Sequence, residues 1–292
     1  MARIVQLFKN LKYISKNNLR KNRLIEFSAE ELLVNMLYYV PNSSVVRPNV
    51  LDGDQTIDVL CKTKKSLARF GDGEILIISG KDIPFQQYDE KLAKRMQDIL
   101  LNNNSNLMVG INHWYFFPKY DPAAHELSRN FALFSMPQAR KTLMGYLDLS
   151  RDYCDAGFTT IRNKKNVEND KFFKKIRTIW DKRDIVLVGC REAHQKMQYD
   201  LFDNASKENW IYVPNINAFS EYDTILRNVK KYSKDTIVIL MAGPTSKVLA
   251  YDLSKAGYRA LDLGHVAKSY DYYMRNVEFT SDIEKDFWKP DL

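Results

Sequence analysis

An α/β fold with a mostly parallel, Rossmann-like sheet and helices on both faces is the class this sequence predicts, and two patterns predict it. Short, continuously apolar runs recur along the chain, as strands buried on both faces require. Longer stretches whose apolar residues repeat at helical spacing lie between them. The runs at 67–70, 107–111, 185–188, 210–213, 236–242 and 260–263 read as strands. The stretches at 89–101, 170–182, 221–231 and 245–256 read as helices, the last framed by Pro244 before it and Gly257 after it, residues that favour a helix start and stop. An earlier helical stretch, 29–39, runs into the turn-rich link Val40-Pro41-Asn42-Ser43-Ser44 and then Arg47-Pro48-Asn49. A boundary near residue 50 follows, with a helical N-terminal extension over 1–50 and the α/β body over 51–292.

Composition narrows the function classes. The chain has 292 residues, 45% hydrophobic and 12% aromatic, which suffices to bury a core. Its formal charge is +8, and residues 1–23 hold seven basic side chains and no acid, so the body is close to neutral. A nucleic-acid-binding body would carry its basic stripe on the folded domain, so no nucleic-acid partner is expected. Ile4, Leu7, Phe8, Leu11 and Ile14 recur at helical spacing between the lysines of the leader. This reads either as a helix lying on the anionic inner face of the cell membrane or as a basic helix docked on its own domain or a partner protein. No apolar run approaches the roughly 18 to 20 residues that span a bilayer, and Lys9, Lys12 and Lys16 interrupt any secretory signal, so a cytoplasmic body is expected. Three widely spaced cysteines, Cys61, Cys154 and Cys190, suit neither a disulfide framework nor a thiolate zinc site.

In parallel sheets, ligands bind at the carboxyl ends of the strands, so the loops that follow strands are where chemistry is sought. Arg69-Phe70-Gly71-Asp72-Gly73-Glu74 follows the first strand of the body. Its two acids beside glycine suit Mg²⁺ or Mn²⁺, with Arg69 as a forked contact to a phosphate or carboxylate. The competing reading is a turn whose acids cap the next helix while Arg69 pairs with them. Ala242-Gly243-Pro244-Thr245-Ser246-Lys247 opens the best-framed helix and reads as a phosphate seat or a plain N-cap. His265, in Asp262-Leu263-Gly264-His265, lies just past the last strand, and Asn217 lies in Pro214-Asn215-Ile216-Asn217-Ala218-Phe219, a base or sugar pocket or a helix cap. There is no GxGxxG and no Walker loop, which excludes a dinucleotide site or P-loop ATPase of the usual kind.

Taken in order, these strings resemble the GT-D type glycosyltransferases. The likeness runs through Arg69 to Glu74, Phe85-Gln86, Tyr88-Asp89, Asp200 to Asn204, Pro214 to Phe219, Tyr222-Asp223, Gly243-Pro244-Thr245 with Lys247, Asp252-Leu253, Gly257 and Asp262 to His265, over roughly residues 55 to 275. The resemblance implies a Rossmann-like transferase that takes a UDP-sugar, typically UDP-glucose, with a divalent metal, Mn²⁺ or Mg²⁺, held by Asp72 and Glu74. It places Arg69 and Gly71 beside these, Gly243, Pro244 and Thr245 near the donor phosphates, and Asn217 near the nucleotide or sugar. Arg162 stands about where the family has an arginine, although its local spacing differs. The acceptor is expected to be a glycan on a protein or lipid carrier of a bacterial surface-glycan pathway. His265 and Glu192 are the candidate bases for an inverting transfer. Two alternatives remain: another metal-dependent nucleotide or phosphate enzyme, and a non-catalytic subunit of a glycan pathway that binds a partner transferase. The 17 Tyr and 15 Phe leave room for a homo-oligomeric interface, sought at Tyr270, Tyr272 and Tyr273.

Overall fold

The computed structural model of the chain describes residues 29–40, 43–101, 103–119, 131–161 and 166–291. The basic leader and Arg162 lie outside the described residues. Those described group into two compact units, one from within 29–47 and 114–141 and the other from within 48–113 and 142–291. In the smaller unit, the helix Ala29–Leu37 is followed by Tyr38, whose ring lies 4.4 Å from the guanidinium of Arg140. Arg140 also donates to Asn35 Oδ1 at 2.8 Å and to the Tyr115 carbonyl at 2.5 Å.

The larger unit carries one eight-stranded parallel sheet: β1 Asn49–Val50, β2 Ser66–Phe70, β3 Leu107–Ile111, β4 Asp152–Asp155, β5 Asp184–Gly189, β6 Lys207–Tyr212, β7 Ile237–Met241 and β8 Arg259–Asp262. Their order across the sheet is β1-β4-β3-β2-β8-β7-β5-β6. The expected α/β class is what the chain adopts. Ile185, Val186, Leu187 and Val188 of β5, and Val238, Ile239 and Leu240 of β7, are completely buried, because helices cover both faces of these strands. Helices Glu90–Leu101, Val167–Arg177, Tyr222–Val229 and Thr245–Lys255 fall where their apolar spacing puts them.

Two strands are invisible in the pattern. β1 is two residues long and β4 is Asp-Tyr-Cys-Asp, an acid at each end. β6 begins three residues before its apolar run because, at the sheet edge, its Lys207-Glu208-Asn209 can stay half in water. Behind the sheet, Phe173, Ile176 and Trp180 pack with Leu187, Ile239 and Leu261. Tyr270 and Tyr273 join this core, their rings 5.0 and 5.1 Å from Phe173, and Tyr272 packs on Phe279 and Phe287. Tyr273 is buried, and Tyr270 and Tyr272 are half-buried.

Registers align the carboxyl ends. Leu67 of β2 faces Leu261 of β8, Leu240 of β7 faces Asp262 of β8, and Gly189 of β5 faces both Met241 and Tyr212. The loops after β2, β5, β6, β7 and β8 consequently open on one edge.

Candidate functional site

At the end of β2 the chain turns through Gly71 into the helix Asp72–Ile78. A helix start leaves backbone N–H groups without partners, and Glu74, at the third helical position, reaches back so that its Oε2 accepts the Gly71 N–H at 2.8 Å. Its Oε1 lies 2.7 Å from Lys247 Nζ. Lys247 stands in the first turn of Thr245–Lys255, where the backbone dipole disfavours a cation. Counter-charges hold it there: Glu74, and Asp262 Oδ2 at 3.2 Å. Lys247 also donates to the Gly243 carbonyl at 3.1 Å.

Asp262, at the end of β8, is completely buried. It accepts the backbone N–H of Arg69 at 3.2 Å and lies 3.6 Å from the Arg69 guanidinium. Arg69 Nη1 donates to the Ala156 carbonyl and to Thr159 Oγ1, both at 2.7 Å. Four buried charges, Arg69, Glu74, Lys247 and Asp262, thus neutralise one another where β2, β7 and β8 end. Burial works against the Lys247 ammonium, but Asp262 and Glu74 outweigh it and hold its pKa above the ordinary lysine value. Gly264 makes room for this arrangement: its φ is +51°, and a Cβ there would stand 2.1 Å from Arg69 Nη2.

Asp72 reaches the surface, its Oδ1 accepting the Gly73 N–H at 3.0 Å. Packing around its carboxyl removes part of its hydration and, together with the nearby Glu74 charge, raises its pKa. The resemblance gives Asp72 and Glu74 a shared divalent metal. Asp72 can offer it an oxygen, whereas both oxygens of Glu74 are engaged, and a cation beside it would meet the Lys247 ammonium. Among the described residues no group of three or more His, Cys, Asp or Glu converges to hold a metal ion. The pair as arranged does not fit a two-carboxylate metal centre. Glu74 caps its helix, as the competing reading of this loop has it, but its cation is Lys247, and Arg69 pairs with Asp262 instead.

The His265 ring is boxed by Phe85, Trp288 and Phe287, with centroids at 5.5, 5.4 and 5.6 Å. Burial first, then the charges of Lys268, Arg69 and Lys247, push its pKa down to about 3. As it stands, the ring is neutral at pH 7 and a weak base. Asn217 has a left-handed φ of +59°. Its N–H donates to the Phe85 carbonyl at 2.9 Å and its Oδ1 accepts the Gln87 N–H at 2.7 Å, so it braces the loop after β6 against the loop that carries Phe85.

Gly243, φ +53°, is the exposed member of its turn. Pro244, Thr245 and Ser246 behind it are buried. Ser246 Oγ accepts the Ala242 N–H at 2.9 Å, and Thr245 Oγ1 is buried without a hydrogen-bond partner.

Structure therefore brings Arg69, Gly71 and Glu74 together with the Gly243 turn, and leaves Asp72 on the rim. Lys247, which the sequence offers as part of a phosphate seat, is instead buried against Glu74 and Asp262, and this pairing is what sequence reasoning missed. The signal was present: a lysine in the first turn of a helix needs acids to hold it, and an acid at the end of an apolar strand needs a cation.

A family model described as glycosyltransferase GT-D fold matches residues 67–289. The chain is 31% identical over 233 residues to the probable glycosyl transferase Gly of Streptococcus gordonii, covering 77% of this chain and 33% of that protein. It is 29% identical over 274 residues to the glycosyltransferase GlyD of Streptococcus pneumoniae serotype 4, covering 89% and 32%. It thus spans about a third of the length of these curated relatives. A solved structure described as "The highly conserved domain of unknown function 1792 has a distinct glycosyltransferase fold" superposes with a TM-score of 0.73 at 29% identity, covering 86% of this chain and 88% of that one. Another, described as a new glycosyltransferase (DUF1792) from Streptococcus sanguinis, gives 0.72 at 26% identity, covering 84% and 93%.

Proposed function

The chain belongs to the GT-D fold glycosyltransferase family, and from that premise we propose that it moves a sugar, glucose by resemblance, from a UDP-sugar donor to a glycan acceptor on a protein or lipid carrier. The observation that carries this reading is the buried Arg69–Glu74–Lys247–Asp262 cluster, which locks the loops after β2, β7 and β8 to one another inside the stretch the family model matches. A donor site needs groups held still before the substrate arrives, because positions fixed in advance cost no reorganisation when charge develops on the leaving nucleotide. The cluster supplies that rigidity and fixes Asp72, Gly243 and Gly264 at one sheet edge.

Of the Mn²⁺ or Mg²⁺ that the resemblance implies, Asp72 is the member of the pair positioned to meet it, so metal dependence is expected to rest on Asp72. The neutral ring of His265 is suited to donate or accept a hydrogen bond at the sugar or phosphate. A cytoplasmic body held at the inner membrane face by residues 1–23 would reach lipid-linked acceptors, and the acid-free, basic composition of that leader supports the placement.

The test is release of UDP from UDP-glucose with and without candidate glycan acceptors. Release that requires an acceptor, with a glycosylated product, is the expected result. Release of equal rate without acceptor would make the protein a hydrolase, and no release with any nucleotide sugar would overturn the reading.

A further inference from the structure

A transferase of this kind needs a place for the acceptor, and an open cleft outside the charged cluster offers one. It measures about 540 Å³ and lies at the carboxyl ends of β5 and β6, lined among others by Arg191, Glu192, Tyr212, Asn215, Glu221 and Asp291, a volume within the usual range for small-molecule sites. We propose that this cleft binds a neutral sugar of the acceptor; the assignment rests on the transferase reading above.

Tyr212 is the aromatic residue of the cleft wall, and it is backed by Trp210, two residues before it on β6, with ring centroids 5.6 Å apart and nearly parallel. His194 stacks on Trp210 at 3.8 Å and its Nδ1 lies 3.0 Å from the Tyr212 hydroxyl. The Arg191 guanidinium lies 3.9 Å from the Tyr212 ring centre, which holds a forked donor in place at the cleft wall. Glu192 and Glu221 add carboxylate acceptors and Asn215 an amide. Donors and acceptors set beside aromatic carbon match the alternating hydroxyl and C–H surface of a pyranose.

Charge argues against the donor as occupant. Asp291 is paired with Lys268 at 3.1 Å, which leaves Glu192 and Glu221 against Arg191, an excess of negative charge that repels a diphosphate. Position argues for the acceptor. Asn215 on the cleft wall is two residues from Asn217, which is bonded to the Phe85 loop, and Phe85 packs on His265. Lys268, the partner of Asp291, is on the helix Val266–Met274 that follows His265. Cleft and candidate donor site are therefore walled by the same two connections.

The experiment titrates the full chain with maltose, cellobiose, lactose and N,N′-diacetylchitobiose, and separately with UDP, for wild type, Tyr212→Ala and Glu221→Gln. Expected is binding of at least one disaccharide, weakened about tenfold or more in both variants, with UDP affinity unchanged. The near-isosteric Glu221→Gln keeps the test valid if Tyr212→Ala fails to fold. The proposal is overturned if no disaccharide binds wild type, if the variants bind as wild type does, or if they lose UDP affinity in step. Disaccharide binding with the variant effect but without UDP binding would support the cleft assignment and overturn the donor reading instead.

Discussion

Lys247 shows how a single residue is held against its own chemistry. It sits in a first helical turn, is almost wholly buried, and keeps its charge because Glu74 and Asp262 stand at 2.7 and 3.2 Å. Replacing a buried ion by a neutral group leaves its partners as uncompensated buried charges, at a cost of about 3–5 kcal/mol. Lys247→Met is therefore expected to lower the unfolding free energy by that amount in urea titration. Lys247→Met, Glu74→Gln should recover part of it, because the pair is coupled. His265 makes a separate prediction. Its folded pKa, about 3, lies below the ordinary 6.5, so the unfolded chain binds a proton that the folded chain refuses. Stability contributed by the neutral ring is complete above pH 6.5 and falls as pH drops from 6.5 towards 3. Melting temperatures measured across that window should fall more steeply for wild type than for His265→Phe, which has no proton to bind.

Asn217 carries a prediction at the scale of an element, because it joins two loops rather than contributing a free group. Asn217→Ala removes the acceptor for the Gln87 N–H and strains a backbone at φ +59°, where non-glycine residues without a short polar side chain cost about 1–2 kcal/mol. The expected kinetic result is a KM for donor or acceptor raised several-fold with kcat changed less, while Asn217→Gly, which accepts that φ, should restore stability but not KM. The same elements show what a sequence discloses. β5 and β7 are legible because burial on both faces demands unbroken apolar runs, and the helix Thr245–Lys255 because Pro244 and Gly257 frame it. β1 and β4 are not, being too short or too acidic at their ends to differ from loop. The helix Asp72–Ile78 hides behind Gly71 and Gly73, which read as turn. For the site, local spacing marks Arg69, Asp72 and Glu74 as a group, but it cannot say that Glu74 will turn inward to a lysine from a distant loop. Which acid meets which cation is decided by strand order, and strand order is a long-range property.

At the scale of the larger unit, the sheet sorts the chemistry by strand. β2, β8 and β7 are consecutive in the order β1-β4-β3-β2-β8-β7-β5-β6, so the loops after them meet in the charged cluster and the Gly243 turn. β5 and β6 form the far edge, where the cleft lined by Arg191, Tyr212 and Glu221 opens. On the reading proposed, two substrates are served from one edge of one sheet, the charged one near the centre and the neutral one at the margin. No helix among the described residues is long and apolar enough to cross a membrane. The central claim is that the edge formed by β2, β8 and β7 binds a nucleotide sugar, with Asp72 as its metal-facing carboxylate. Calorimetric titration of UDP-glucose, with and without Mn²⁺, into wild type and Asp72→Ala tests it most directly. The account predicts binding that Mn²⁺ strengthens in wild type and no longer strengthens in Asp72→Ala. Absence of UDP-glucose binding to wild type under both conditions, or an identical Mn²⁺ response in the two proteins, would contradict it.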